Sequence, residues 1–263
     1  MRHAVEQKKQ PRRLFGPEPG KRYLAAVFDM DGTILNTLGD LTESLNHVLA
    51  ERGHRHDFTE RDVAAFFGSG AAVAMQRALA AEKGSTAAEL ASIGTPHPSF
   101  TLTGPDLAEA EAVRQLYSPY YNAHCNSRTA PYEGIPELLQ QLRAAGIRTA
   151  VVSNKGDAEV QKLVRSLFPD CFACALGNRP DRRRKPAPDM VLHALEMLGV
   201  AAEDTVYIGD SEVDLQTAAN SGLACISVDW GFRERAFLEG CHAPCTVSCP
   251  QEIGSLLLGN RKS

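Results

Sequence analysis

The sequence predicts an α/β protein with a doubly wound, mostly parallel sheet (Rossmann-like, strand order 3-2-1-4-5) and an inserted, all-helical cap domain. Three observations predict this class. Short apolar runs alternate with helical periodicity from Tyr23 onward, residues 38–128 show helical spacing without a convincing strand, and polar residues follow several of the apolar runs. Strands that alternate with helices are typical of a parallel sheet that is covered on both faces.

Six short apolar runs, bounded by polar residues or glycine, predict the strands. The first is LAAVFD at residues 24–29, and the second is GIRTAVVSN at residues 146–154. The other four, in chain order, are CFACALG (171–177), TVYIGD (205–210), LACISVD (223–229) and CTVS (245–248).

Helices are predicted between these strands, because apolar residues recur at the spacing of one helix face. The stripes are Ile135, Leu138, Leu139 and Leu142; then Val160, Leu163, Val164 and Leu167; then Val191, Leu195 and Leu198. Gly146 and Gly199 follow two of these stripes, where a glycine that ends a helix is expected.

The stretch between the first two strands predicts a separate helical unit. Its apolar stripes are Leu41, Leu45 and Val48, then Val113, Leu116, Tyr117 and Tyr120. Residues 92–106 are rich in Gly, Pro, Ser and Thr, which indicates a loop between cap helices. We therefore divide the chain into a basic, solvated N-terminal tail (1–22), a discontinuous α/β core (23–37 and 129–263) and a helical cap (38–128).

Composition excludes several classes of function. The 263 residues are 43% hydrophobic and carry a net charge of −4, which suits a globular protein and argues against nucleic acid as the main partner. No apolar run approaches the roughly 20 residues that cross a bilayer, so we expect no membrane partner. The basic start has no apolar centre of a secretory signal, so a cytoplasmic location is expected.

The seven cysteines are an odd number, which favours a reduced compartment over a disulfide framework. Cys171 and Cys174 form a single CxxC, and Cys241, Cys245 and Cys249 recur every fourth residue. Both groups fall in short apolar or β-branched stretches, so we interpret them as structural or incidental thiols rather than a metal site.

Carboxylates follow two of the predicted strands. Asp29 and Asp31 come directly after the first strand, and Asp210 and Asp214 come after the fourth. Strands one and four are neighbours in the predicted order, at the point where open α/β sheets bind ligands. Because clustered carboxylates repel one another without a cation, and hard oxygen ligands suit Mg²⁺, this edge predicts a magnesium site.

Groups suited to a phosphoryl group are predicted at the same edge. Ser153 and Asn154 end the second strand, and Lys185 precedes two prolines that fix the local backbone. Each residue alone has a simpler explanation, such as a helix cap, a turn or a solvated base. Their occurrence together, in order along one sheet, favours phosphoryl chemistry.

Four motifs resemble those of the haloacid dehalogenase-like phosphohydrolases. They are DMDGTILNT (29–37), VVSNK (151–155), RRKPAPD (183–189) and GDSEVD (209–214), and the resemblance extends from about Tyr23 to Ile253. The predicted insertion is similar to the helical cap of the subgroup that holds phosphoglycolate phosphatase and β-phosphoglucomutase. The acid at Asp31 indicates a phosphatase or mutase, because dehalogenases lack an acid there.

The resemblance implies a role for each matching residue. Asp29 would be the nucleophile that becomes an aspartyl-phosphate, and Asp31 the general acid/base. Mg²⁺ would be held by Asp29, the backbone carbonyl of Asp31, and Asp210. The implied phosphate-binding residues are Ser153, Asn154 and Lys185, with Lys185 also balancing the charge of Asp29, and the implied supporting residues are Asp214, Thr33 and Gly209.

The cap is expected to select the substrate. Residues 124–139 (HCNSRTAPYEGIPELL) resemble the corresponding segment of phosphoglycolate phosphatases, and Gly68, Ser69 and Gly70 resemble the cap loop that reaches the substrate. Two features depart from the family pattern: Asn36 stands where many relatives have an acid, and the 92–106 stretch is longer than usual. The resemblance implies a small phosphorylated metabolite as substrate, with 2-phosphoglycolate first.

Three alternatives stay open. A sugar-phosphate mutase would use the same aspartyl-phosphate and need a cap cation for a second phosphate, for which Arg77 is the nearby candidate. A phosphatase could act on another small substrate, such as a sugar phosphate, a nucleotide or pyrophosphate. A catalytically silent binding protein would usually lack a nucleophile or metal acid, and none is missing here.

Overall fold

The computed structural model describes residues 14–95 and 97–259. The predicted basic tail is therefore only partly described, and Lys8, Lys9, Arg12 and Arg13 lie outside this range. Its described end contacts the sheet, since the carbonyl of Phe15 accepts a hydrogen bond from the backbone N–H of Cys225 at 2.9 Å. Within the described residues, no helix combines the length and apolar character needed to cross a membrane.

A six-stranded parallel sheet forms the centre of the protein, in the order β5-β4-β1-β6-β7-β8. The predicted α/β class and the order of the first five core strands are confirmed, and β8 extends the sheet beside β7. The strands of this sheet are β1 (Ala25–Phe28), β4 (Arg148–Gly156), β5 (Cys174–Asn178), β6 (Thr205–Gly209), β7 (Ala224–Val228) and β8 (Thr246–Val247).

Helices cover both faces of this sheet, because its central strands are apolar on both sides. In β1, Ala26 and Phe28 point into one buried cluster, while Ala25 and Val27 point into the other. The helices of the α/β part are α6 (Ile135–Ala144), α7 (Asp157–Leu167), α8 (Asp189–Leu198), α9 (Glu212–Ser221), α10 (Arg235–Gly240) and α11 (Pro250–Leu258), with a 3₁₀ turn at Ala202–Asp204.

Among the described residues, five helices lie between β1 and α6 in the chain, and we call them the helical insertion. They are α1 (Leu38–Glu51), α2 (Glu60–Phe66), α3 (Ala71–Glu82), α4 (Ala87–Ser92) and α5 (Gly104–His124). A short antiparallel pair that the sequence did not predict, β2 (Leu35–Asn36) with β3 (Ala130–Pro131), joins both ends of the insertion to the sheet. Asp40 supports this base by accepting hydrogen bonds from the backbone N–H groups of Ser127, Arg128 and Thr129.

Two details of the insertion differ from the sequence prediction. The side chain of Leu116 is 39% exposed, and the buried stripe of α5 consists instead of Ala110, Val113, Tyr117 and Tyr121. The loop between α4 and α5 is shorter than the predicted 92–106, because α4 ends at Ser92 and α5 begins at Gly104. The Thr103 hydroxyl accepts from the N–H of Asp106, and this cap starts the helix inside the polar stretch.

Candidate active site

The first strand brings Asp29 and Asp31 to the edge of the sheet where the chain turns sharply. All four residues of β1 are buried, and Gly32 follows with a φ of +81°. A Cβ at this position would lie only 2.3 Å from Oδ2 of Asp210. Glycine avoids both the strained φ and this clash, so the loop after β1 packs directly against the end of β6.

Asp210 is fixed at the end of β6, next to Asp29. Its Oδ1 accepts a hydrogen bond from the Thr33 hydroxyl at 3.2 Å, and its Oδ2 accepts from the N–H of Phe232 at 2.7 Å. Thr33 was expected to support the site from the sequence, whereas nothing in the sequence marked the amide of Phe232. Gly209 permits close packing behind Asp210, since a Cβ there would lie 2.4 Å from the Cβ of Asp214.

Three buried carboxylates lie together at this edge. Oxygens of Asp29, Asp210 and Asp214 are all within 4.8 Å of one another. Burial raises the pKa of Asp29 to about 7, and burial with the neighbouring carboxylates raises the pKa of Asp210 well above its usual range. Such a cluster favours a bound cation, and its hard oxygen donors fit Mg²⁺.

The hydrogen bonds distinguish the metal-facing carboxylates from a supporting one. Each oxygen of Asp214 accepts two hydrogen bonds: Oδ1 from Lys185 and Tyr207, and Oδ2 from the backbone and hydroxyl of Ser211. Among the described residues, each oxygen of Asp210 accepts only one hydrogen bond, which leaves lone pairs available for a metal. Asp29 and Asp210 are therefore better suited to hold Mg²⁺, while Asp214 positions Lys185.

The charged Nζ of Lys185 lies between two of these carboxylates. Its Nζ lies 2.8 Å from Oδ1 of Asp29, 2.8 Å from Oδ1 of Asp214, and donates to the Tyr207 hydroxyl at 3.0 Å. Burial opposes the charged form, but the carboxylates of Asp214 and Asp29 outweigh it, so the pKa of Lys185 is raised. Tyr207 was missed by the sequence reasoning, because it lies inside a strand and looks like an ordinary core residue.

Ser153 and Asn154 lie near the carboxyl end of β4, which runs two residues further than expected, to Gly156, and both line the cavity beside Asp29. The amide of Asn154 donates to the carbonyl of Lys185 at 3.1 Å and to the carbonyl of Gly68 at 3.3 Å. Asn154 thus holds two loops of the site in place. The Ser153 hydroxyl accepts from the N–H of Lys155 at 3.2 Å.

The carboxylate of Asp31 does not join the acidic cluster. Its Oδ1 pairs with the buried Nζ of Lys155 at 2.8 Å, and the same Nζ donates to the Tyr121 hydroxyl of the insertion at 2.8 Å. The ion pair with Asp31 raises the pKa of Lys155 against the opposing effect of burial. Neither Lys155 nor Tyr121 was singled out from the sequence, although Lys155 stands in the VVSNK motif.

The loop Phe67–Gly70 of the insertion is held against the α/β part by its backbone carbonyls. The carbonyls of Phe67, Gly68 and Ser69 accept from Arg233 (3.3 Å), Asn154 (3.3 Å) and Arg184 (2.9 Å), respectively. Gly68 and Gly70 line the cavity, and Ser69 contributes its carbonyl to this contact. These three residues, which the sequence placed in a substrate loop, therefore lie at the boundary of the site.

Arg77 does not face this site. Its side chain is buried, and its guanidinium donates to the carbonyls of Phe66 (3.1 Å) and Ile93 (3.0 Å) inside the insertion. Burial lowers its pKa to about 10. Arg77 therefore ties helices together, and the expectation that it could grip a second phosphate is wrong.

A cavity of about 260 Å³ lies between the strand ends and the insertion. The α/β part contributes both polar and charged groups to its wall, among them Asp29, Asp31 and Lys155. The insertion contributes Phe67, Tyr117, Tyr121 and Arg114. A small polar molecule in this space would contact both parts of the protein at once.

Comparison with known proteins agrees with this geometry. The chain is 30% identical to a phosphoglycolate phosphatase of Mesorhizobium japonicum, across 80% of this chain and 84% of that one, and 28% identical to one of Pseudomonas putida, across 87% and 83%. A crystal structure from Lactobacillus delbrueckii subsp. bulgaricus, provisionally named phosphoglycolate phosphatase, superposes with a TM-score of 0.88 at 46% identity, covering 91% of this chain and 100% of that one. Residues 26–228 match the family model described as haloacid dehalogenase-like hydrolase, and the chain therefore belongs to that family.

Proposed function

We propose that this enzyme, a phosphoric monoester hydrolase, is a Mg²⁺-dependent phosphatase that cleaves 2-phosphoglycolate through an aspartyl-phosphate on Asp29. The observation that carries the proposal is the setting of Asp29. Its Oδ1 is fixed by Lys185 at 2.8 Å and by the N–H of Met30 at 2.6 Å, while Oδ2 accepts no hydrogen bond within the described residues. One oxygen is thus anchored and the other is available beside the carboxylate of Asp210.

Charge decides whether a carboxylate can attack a phosphate ester, because both partners are anionic. Lys185 supplies one positive charge at Asp29, and Asp214 with Tyr207 keeps its Nζ in place. Mg²⁺ held by the carboxylates of Asp29 and Asp210 and the backbone carbonyl of Asp31 would supply further positive charge against the phosphoryl oxygens. The Ser153 hydroxyl lines the same cavity and would donate to a phosphoryl oxygen.

Asp31 is the group that moves protons in this proposal. It would donate a proton to the departing alcohol and later take one from the water that hydrolyses the aspartyl-phosphate. Its carboxylate lines the cavity, outside the cluster of Asp29, Asp210 and Asp214. A separate location lets the Asp31 carboxylate face the leaving group, while the Asp29 and Asp210 carboxylates would hold Mg²⁺ and Asp214 holds Lys185.

The substrate is proposed on two grounds. Relatives over most of the chain are named phosphoglycolate phosphatase, and the cavity of about 260 Å³ beside Asp29 has room for a small metabolite. A sugar-phosphate mutase is less well supported, because Arg77 is unavailable for a second phosphate.

Phosphate release from 2-phosphoglycolate, hexose phosphates, nucleotides and pyrophosphate, each with and without Mg²⁺, tests the proposal. We expect the highest kcat/KM for 2-phosphoglycolate, loss of turnover in EDTA, and loss of turnover in Asp29→Asn. Asp189→Asn is the matched control, because Asp189 pairs with Arg183 on the surface at 2.9 Å. Wild-type turnover in Asp29→Asn would refute the mechanism, and sugar-phosphate isomerisation without phosphate release would identify a mutase.

A further inference from the structure

Among the described residues, three cationic side chains line the cavity, and they differ in how their charge is balanced. Lys155 pairs with Asp31 at 2.8 Å, and Arg114 pairs with Glu111 on the same helix at 2.6 Å. Arg184 lines the same cavity, and no carboxylate of the described residues lies within 4 Å of it. Its charge is therefore the one that an anionic group in the cavity could neutralise.

The guanidinium of Arg184 lies on the side of the phosphoryl site that faces the helical insertion. Nη1 donates to the carbonyl of Ser69 at 2.9 Å, and it would lie 3.5 Å from a Cβ built on Gly70. The same Cβ would lie 3.7 Å from the backbone carbonyl of Asn154, so Arg184 and the end of β4 flank one glycine. The next residue in the chain, Lys185, contacts Asp29.

One edge of the guanidinium remains available. Among the described residues, the carbonyl of Ser69 is the hydrogen-bond partner of the Arg184 side chain, and the Nε and Nη2 of Arg184 make no hydrogen bond. The Nε–H and Nη2–H of an arginine are parallel donors that match the two oxygens of a carboxylate. A half-buried guanidinium with a free edge in a small cavity is suited to recognise such a group.

We propose that Arg184 determines specificity by binding a carboxylate on the carbon chain of the substrate, through its free Nε/Nη2 edge. This inference rests on the proposed function, since the phosphoryl group must occupy the site at Asp29 and Lys185. The contact with Ser69 ties the same side chain to the insertion, so the guanidinium is already oriented before the substrate arrives. A phosphomonoester without a second anion gains nothing from it.

The test compares 2-phosphoglycolate with ethyl phosphate, which lacks the carboxylate but keeps a two-carbon chain. For Arg184→Met we expect kcat/KM for 2-phosphoglycolate to fall on the order of 10- to 100-fold, the value of a charge-assisted hydrogen-bonded pair. The kcat/KM for ethyl phosphate should change by less than about 3-fold, which also shows that the variant is folded. Arg184→Lys should fall between wild type and Arg184→Met, because a lysine keeps the charge and loses the parallel donors.

Arg183→Met is the matched control, because Arg183 is adjacent, 77% exposed and paired with Asp189. It should leave both substrates unchanged. Equal losses for both substrates in Arg184→Met would overturn the proposal and assign Arg184 to holding Ser69 only. Unchanged turnover of 2-phosphoglycolate would overturn it as well.

Binding separates this inference from the proposed reaction. Calorimetric titration of Asp29→Asn with 2-phosphoglycolate and Mg²⁺ should give a Kd at least about 10-fold lower than the titration of the Asp29→Asn/Arg184→Met double variant. An equal Kd in both proteins would refute the role of Arg184, whatever the wild-type enzyme hydrolyses. Turnover of ethyl phosphate but not 2-phosphoglycolate by the wild type would contradict the proposed substrate and the proposed carboxylate contact together.

Discussion

Two buried tyrosines allow the hydrogen bonds behind Lys185 to be measured. The Tyr207 hydroxyl accepts from Lys185 at 3.0 Å and donates to Asp214 at 2.9 Å, whereas the Tyr117 hydroxyl has no partner among the described residues. Both side chains are at most 3% exposed. Tyr→Phe at either position removes one hydroxyl and little packing, so the difference between the two variants isolates the hydrogen bonds.

The expected effects have different sizes and directions. Tyr207→Phe should lower the free energy of unfolding by about 1.5–3 kcal/mol, the value of a hydrogen bond to a charged group. The loss stays within this range because Lys185 and Asp214 still contact each other in the variant. Tyr117→Phe should leave it unchanged or raise it by up to about 1 kcal/mol, because a buried hydroxyl without a partner costs free energy.

Urea unfolding measures both variants. With an m value of about 3 kcal/mol/M, the midpoint of Tyr207→Phe should fall by about 0.5–1 M and that of Tyr117→Phe should not fall. A loss in Tyr117→Phe as large as that in Tyr207→Phe would refute the reasoning, because both effects would then come from packing. No loss in Tyr207→Phe would show that the two hydrogen bonds contribute nothing net.

Three further predictions concern the base of the insertion, the packing behind the acids and the metal. Asp40→Asn should lower the free energy of unfolding, measured in urea, by about 2 kcal/mol, because the Asp40 carboxylate accepts hydrogen bonds from three backbone N–H groups. Glu43→Gln is the control, because Glu43 forms an exposed ion pair with Arg128 at 3.8 Å, and it should lower the free energy of unfolding by less than about 0.5 kcal/mol. Equal losses in the two variants would contradict this prediction. Gly209→Ala should abolish turnover and lower the melting temperature, because the added Cβ would lie 2.4 Å from the Cβ of Asp214. Gly240→Ala is the control and should change neither, because a Cβ at that position meets nothing within 4 Å. Mg²⁺ at 100 times its Kd should stabilise the protein by about 2.7 kcal/mol in thermal unfolding; Asp210→Asn should remove most of that gain, and a full gain in this variant would exclude Asp210 as a ligand.

The strand pattern of the chain was predictable because it is local. Each apolar run is long enough for one strand, and every residue of β1 and β6 is buried, so periodicity and length together identified the sheet. The short β2–β3 pair was missed, because two-residue strands produce no pattern. The shift of the α5 stripe was missed because both faces of that helix carry large apolar residues, and packing against α1 and α3 decides which face is buried.

The sequence by itself determined which residues end each strand, and therefore which acids, hydroxyl, amide and lysine meet at one edge of the sheet. The strand ends follow from the local apolar runs, and their meeting at one edge follows from the strand order that is typical of a doubly wound sheet. Only the tertiary structure decided which partner each group has. Asp214 binds Lys185, Asp31 pairs with Lys155, and Lys155 also contacts Tyr121. Arg77 is buried inside the insertion, and Arg184 has one guanidinium edge without a partner among the described residues. The physical reason is that each pairing joins residues from different elements, so that it depends on how those elements pack; the contacts of Tyr121 and Ser69 further depend on how the insertion packs over the strand ends.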